Sequence, residues 1–96
     1  MSEDLNIKEN AAKTDLLQEK LGLVPDNPGV YLFKNKNGEV IYVGKAKSLR
    51  RRVFSYFQSG DKDSPKTRLL VANIADLEYM SVDTEMEAFM LELNLI

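Results

Sequence analysis

The sequence predicts an α+β fold, a small three-stranded antiparallel sheet flanked by helices. Three observations carry that reading. Two runs with strand-like alternation lie on either side of Asn37-Gly38, the dipeptide that favours a two-residue hairpin turn because both central positions need positive φ. Apolar residues before and after this hairpin recur at helical spacing. The chain has 96 residues and 44% hydrophobic content, enough for one core and too little for two.

Taken in order, residues 1–12 hold few apolar positions and read as a loose tail, which leaves 13–96 as the domain. Asp15 and Gln18 form a capping pair before Leu16, Leu17 and Leu21, and Gly22 is expected to end that first helix. Pro25 and Pro28 mark a turn into the hairpin, residues 29–44. With Asn37 and Gly38 as the turn, Lys36 pairs with Glu39, Phe33 faces Tyr42, and Tyr31 faces Gly44. Period-two alternation then puts Tyr31, Phe33 and Tyr42 on one face and Val30, Leu32, Ile41 and Val43 on the other.

Ser48 caps the next helix, which runs to about Phe57 with Leu49, Val53 and Phe57 four apart. Gln58 to Pro65 reads as a mobile loop, and Lys66 to Ala75 as a short helix buried through Leu69, Leu70 and Ile74. Leu77 to Val82 supplies the third strand. Thr84, with Glu87 three positions on, opens a final helix whose expected core stripe is Met86, Phe89, Met90, Leu93 and Ile96.

Composition removes several function classes. With no cysteine there is no disulfide framework and no thiolate metal site; with no histidine, histidine bases and histidine-metal centres are excluded. Hydrolytic chemistry would have to run on tyrosine, lysine, arginine and carboxylates. No apolar run approaches the roughly 20 residues that span a bilayer, and the polar start does not read as a signal peptide, so a soluble cytoplasmic domain is expected. The net charge of −2 hides a segregation: residues 30–56 hold seven basic residues against Glu39 alone, while the acids crowd the rest. A basic stripe on an acidic molecule points to a polyanion-binding face.

Two places stand out as candidate sites. The hairpin face that carries Tyr31 and Tyr42 ends in Gly44, which has no side chain to keep a neighbour off the backbone, and Lys45 follows with a cation. Two strand tyrosines alone are more often half-buried packing; the glycine and the lysine favour a site. Glu92, on the last helix, has only apolar neighbours three and four positions away: Phe89, Ala88, Leu95 and Ile96. Such a carboxylate is exposed, paired or metal-bound, and the helix alone does not choose.

Gly29-Val30-Tyr31, then Ile41-Tyr42-Val43-Gly44-Lys45, Arg52 and Tyr56 on the following helix, and Glu92 near the end resemble the GIY-YIG nucleases. The closing run from Glu87 to Ile96 is similar to the excinuclease branch of that family. The resemblance spans about residues 22–96 and implies the GIY-YIG nuclease fold, with hydrolysis of a DNA phosphodiester by one divalent ion, Mg²⁺ or Mn²⁺, on the 3′ side of a lesion. It implies Glu92 as metal ligand, Tyr42 as activator of the attacking water, Tyr31 as its support, and Arg52, Lys45 and Tyr56 around the phosphate. Gly29 and Gly44 are structural motif positions, and Lys47, Arg50 and Arg51 are expected along the DNA backbone. The implied partners are damaged double-stranded DNA, UvrB through the rest of the subunit, and UvrA indirectly. Such relatives continue past this helix, so a domain truncated at its C-terminal end is expected. A non-catalytic DNA-binding or docking module of the same fold, or another GIY-YIG endonuclease, is the alternative.

Overall fold

The strand that carries Tyr31 is the middle of a three-stranded sheet, and every residue from Gly29 to Phe33 is buried. The computed structural model describes residues 16–58 and 64–96. Its elements are α1 (16–23), β1 (Gly29–Lys34), β2 (Val40–Ala46), α2 (Leu49–Phe57), α3 (Pro65–Asn73), β3 (Asp76–Ser81) and α4 (Glu85–Leu95). The strands order as β2-β1-β3, and both pairings are antiparallel. The α+β expectation therefore holds. The tail expected over residues 1–12, the cap at Asp15 and most of the loop expected over 58–65 lie outside the described residues.

The sheet has two unlike faces. On one, Tyr31, Phe33 and Leu77 meet Leu21 and Val24 from around α1 and Leu49 and Val53 of α2, forming the main core. On the other, Val30 and Leu32 lie under α4, whose Ala88 is fully buried. The helix starts follow their caps. Ser48, Ser64 and Thr84 each accept a hydrogen bond from a backbone N–H three residues on. Lys20 on α1 pairs with Asp76 at the start of β3 and joins the first helix to the far edge of the sheet.

The hairpin reaches the expected register by an unexpected route. Gly38 alone has positive φ (80°), while Asn37 does not, so the turn is not the two-residue type. Gly38 N–H donates to the Asn35 carbonyl (3.0 Å), Asn35 N–H donates to the Glu39 carbonyl (2.9 Å), and the Asn35 side chain accepts from the N–H groups of Asn37 and Glu39. This is a three-residue loop with glycine in the left-handed position, locked by one asparagine side chain. Lys36 therefore does not pair with Glu39. The register then shifts again between Phe33 and Lys34, because Ile41 is an extra residue on β2. The two shifts cancel, so Phe33 faces Tyr42 and Tyr31 faces Gly44 as expected. The bulge also turns Ile41 to the Tyr31–Phe33 core rather than to the Val30 face.

Other expectations need correction. The first helix continues through Gly22 to residue 23, where Val24 N–H donates to the Leu21 carbonyl and Pro25 stops further winding. In α3, Leu70 and the capping Ile74 pack on the core while Leu69 is 68% exposed. The stripe expected in α4 is not buried: Met86, Phe89, Met90, Leu93 and Ile96 are 42–83% exposed. This helix carries apolar residues on two opposite sides, so periodicity cannot select a face. The sheet selects the side with the smallest residue, Ala88, which allows close approach.

At Gly38 no atom lies within 4 Å of where a Cβ would stand, so substitution there tests backbone conformation alone. Gly38→Ala is expected to lower stability by about 1 kcal/mol, with the denaturant m-value unchanged in urea unfolding.

Candidate active site

Three phenols and a guanidinium converge on the Tyr31 face. Tyr31 comes from β1, Tyr42 from β2, and Arg52 and Tyr56 from successive turns of α2, where a spacing of four puts them on one side. The ring centroids of Tyr31, Tyr42 and Tyr56 form a near-equilateral triangle with sides of 6.0, 5.8 and 6.1 Å. Tyr31 Oη and Tyr56 Oη are 2.9 Å apart, Arg52 Nε–H donates to Tyr31 Oη (3.4 Å), and the Arg52 guanidinium lies 5.3 Å from the centre of the Tyr56 ring. Phe33 closes the base of the cluster, 5.0 Å edge-on from Tyr56. Tyr31 is fully buried and Tyr42 is 37% exposed, so the triangle opens to solvent at Tyr42.

The two motif glycines make this possible. A Cβ on Gly44 would stand 2.4 Å from Cζ and Oη of Tyr31, so the close approach that the sequence suggested at Gly44 is that of the protein's own phenol. A Cβ on Gly29 would meet the Met80 carbonyl at 2.3 Å and the Leu49 side chain at 2.6 Å, so Gly29 admits α2 against β1. The start of α2 is held further by the 25–27 loop. Leu49 N–H donates to the Asn27 carbonyl and Arg50 N–H to the Pro25 carbonyl, Arg51 N–H donates to Ser48 Oγ, and Ser48 hydrogen-bonds Asp26. Every N–H of the first three helical residues is thereby satisfied within the protein.

Burial pushes the Tyr31 phenol above its ordinary value near 10, although hydrogen bonds from Tyr56 and Arg52 pull the other way. The Tyr56 hydroxyl, and then burial, raise Tyr42; burial, and then Tyr31, raise Tyr56. Arg52, hydrogen-bonded to Tyr31, is held even more firmly protonated. The chain's own groups therefore leave all three phenols protonated at neutral pH.

The remaining sequence candidates divide by face. Lys45 is opposite Val30, on the α4 side of the sheet rather than beside the phenols, with Nζ 5.4 Å from the centre of the Phe89 ring. Lys47 is exposed, 3.9 Å from Glu85. Arg50 turns back over Phe54, and Arg51 is exposed. Glu92 is half-buried on α4, one turn beyond Ala88, and makes no ion pair or side-chain hydrogen bond among the described residues.

A family model described as the UvrC-like GIY-YIG domain matches residues 27–96, which include every one of these positions. The chain belongs to that family. It is 60% identical over 80 residues to the UvrABC system protein C of Caldicellulosiruptor saccharolyticus and 54% identical over 80 residues to that of Caldanaerobacter subterraneus. Each match covers 83% of this chain, which spans 13% of the length of those relatives. It is also similar to a crystal structure of the GIY-YIG N-terminal endonuclease domain of UvrC from Thermotoga maritima bound to its catalytic divalent cation, magnesium. That match has a TM-score of 0.71 and 44% identity, and covers 83% of this chain and 85% of that one.

In this UvrC-like GIY-YIG domain the two strand motifs are thus a packing device for one buried phenol. Sequence reasoning missed Asp26 and Phe89. Asp26 stands between Pro25 and Pro28, 22 positions from the Ser48 it meets, and no local pattern in the sequence signals that contact. Phe89 was assigned to the core stripe, and only the strand register reveals that it meets Lys45.

Two outcomes follow from the cluster. Gly44→Ala should cost about 1–3 kcal/mol by overpacking and separate Tyr31 from Tyr56, measured by thermal unfolding and by the aromatic NMR signals. The folded phenols hold their protons to higher pH than unfolded tyrosine, so their stabilising contribution is full below about pH 10 and is lost as pH rises through their folded values. The urea midpoint should fall above that pH, and Tyr31→Phe should blunt the fall.

Proposed function

We propose that residues 13–96 form the amino-terminal nuclease domain of a bacterial excinuclease C subunit, with residues 1–12 outside it. The domain makes the 3′ incision beside a lesion in double-stranded DNA by metal-dependent phosphodiester hydrolysis. The whole subunit acts in the cytoplasm, contacting UvrB directly and depending on UvrA for loading. Among the described residues no helix is long and apolar enough to cross a membrane. The observation that carries the reading is the convergence of Tyr31, Tyr42, Tyr56 and Arg52 on one solvent-open face, in a chain whose solved neighbour is an endonuclease domain crystallised with its catalytic magnesium.

Glu92 is the proposed metal ligand. Its carboxylate is not neutralised by any cation among the described residues, and no cluster of three or more acidic, histidine or cysteine side chains surrounds it there. A single hard oxygen donor fits Mg²⁺ or Mn²⁺, ions that keep several waters and share their remaining positions with substrate phosphate. When bound, the ion supplies positive charge that offsets charge developing on the phosphate and favours ionised oxygen nearby.

The chain's own groups do the rest. Tyr42, the most exposed of the three phenols, orients the attacking water; it would accept that water's proton only as phenolate, after releasing its own proton to the solvent it faces. The Tyr56 ring packs against that of Tyr42, and Tyr31 keeps Tyr56 and Arg52 in place. Arg52 presents a permanent cation to the phosphate. Lys45 contributes from the α4 side, and Lys47, Arg50 and Arg51 bind the DNA backbone.

The test is 3′ incision of a duplex with one defined lesion by the full-length subunit and its loading partners. Glu92→Gln is expected to reduce the cut about a thousandfold or more with folding and DNA binding intact, and Tyr42→Phe to reduce it about a hundredfold. An undiminished 3′ cut in Glu92→Gln would refute the reading and favour a docking module.

A further inference from the structure

The motif lysine does not point where its place in the sequence suggests. Lys45 follows Gly44 directly, yet β-strand alternation sends the two to opposite faces, and the register sets Lys45 against Val30 under α4. Among the described residues its ammonium has no carboxylate partner. What it meets is the ring of Phe89, at 5.4 Å. Phe89, 42% exposed, is no part of the main core, so its ring is not held there by burial.

On α4, residues 89 and 92 are three apart and so adjoin on the helix surface. The ring that receives the ammonium therefore neighbours Glu92. α4 itself is anchored lightly: Ala88 is its one buried residue, and Lys47–Glu85 is an exposed pair. A lysine with four rotatable side-chain bonds, facing a lightly anchored helix, has little to define its position except that ring.

We propose that Phe89 is a positioning residue for Lys45: its ring holds the ammonium on the α4 side of the sheet, next to the helical turn that bears Glu92. This rests on the nuclease reading for its consequence, though not for its geometry. The ring supplies a face for the cation without neutralising it, so the charge remains available to a phosphate. A carboxylate in that place would take the charge for itself.

The test is a double-mutant cycle on single-turnover incision by the full-length subunit with its partners, using Phe89→Leu, Lys45→Met and the pair. Phe89→Leu is expected to slow cutting about two- to fivefold, the range of an exposed cation–π contact, and to have no further effect beside Lys45→Met. Phe89→Trp should restore the rate. Losses that simply multiply in the pair, a failure of Phe89→Trp to rescue, or a wild-type rate in Lys45→Met would each overturn the proposal. A second readout needs no activity. In NMR of this chain, the Lys45 side-chain protons nearest the ammonium should be shifted upfield by the ring and return in Phe89→Leu; their absence of shift in the wild type would refute the contact. A wild-type subunit that does not cut would sink the nuclease reading while leaving the NMR result to decide the contact.

Discussion

The site depends on one contact, the phenol of Tyr31 lying across the bare backbone of Gly44. A tyrosine in the middle strand of a sheet, buried on both sides, has to direct its hydroxyl somewhere polar or lose a hydrogen bond. The missing side chain on the neighbouring strand gives the ring its path, and Tyr56 and Arg52 provide the partners at its end. The same tyrosine is a core residue and the hub of a polar cluster. Sheet packing and site geometry cannot be altered separately.

This coupling explains why motif residues so far apart in sequence belong to one object. Gly29 lets Leu49 press α2 onto β1, and the 25–27 loop fixes where α2 begins. Arg52 and Tyr56 are then set by helix periodicity from a start held by three backbone donors and Ser48. Errors at any of these steps would rotate or slide α2 and misalign the phenols. A triangle with sides near 6 Å, drawn from three elements, is the sum of those constraints.

Much of this was legible in the sequence, and what was not has physical causes. The facing of Tyr31 with Gly44 could be counted from Asn37-Gly38, yet the count succeeded because two errors cancelled: a three-residue turn governed by Asn35, and a bulge at Ile41. Neither a side-chain clamp in a turn nor a bulge has a periodic signature. The caps at Ser48 and Thr84 could be read because their chemistry is local. The buried face of α4 could not, because the larger apolar stripe of Met86, Phe89, Met90 and Leu93 lies across the helix from Ala88 and only the sheet decides which side comes near. The side of the sheet that Lys45 occupies was implicit in strand alternation, but adjacency to Gly44 drew attention to the wrong face. The direction of the phenol shifts was not legible at all. It depends on how deeply each ring is buried and on which hydroxyl meets which.

The sealed start of α2 has a consequence for how this domain meets anions. Helix beginnings commonly greet phosphates with free amide groups, and the aligned peptide dipoles add to the attraction. Here those amides are already spent on the carbonyls of Pro25 and Asn27 and on a serine. The positive pole of the helix is consumed in holding its own position. In the proposed function, anion binding on this side is left to the long cationic side chains that follow, which swing, hydrate and exchange with counterions. Rigid scaffolding and soft electrostatics are thus divided along a single helix: its first turn is given to alignment, and its charged flank, in the proposed function, to a grip that should loosen as salt rises.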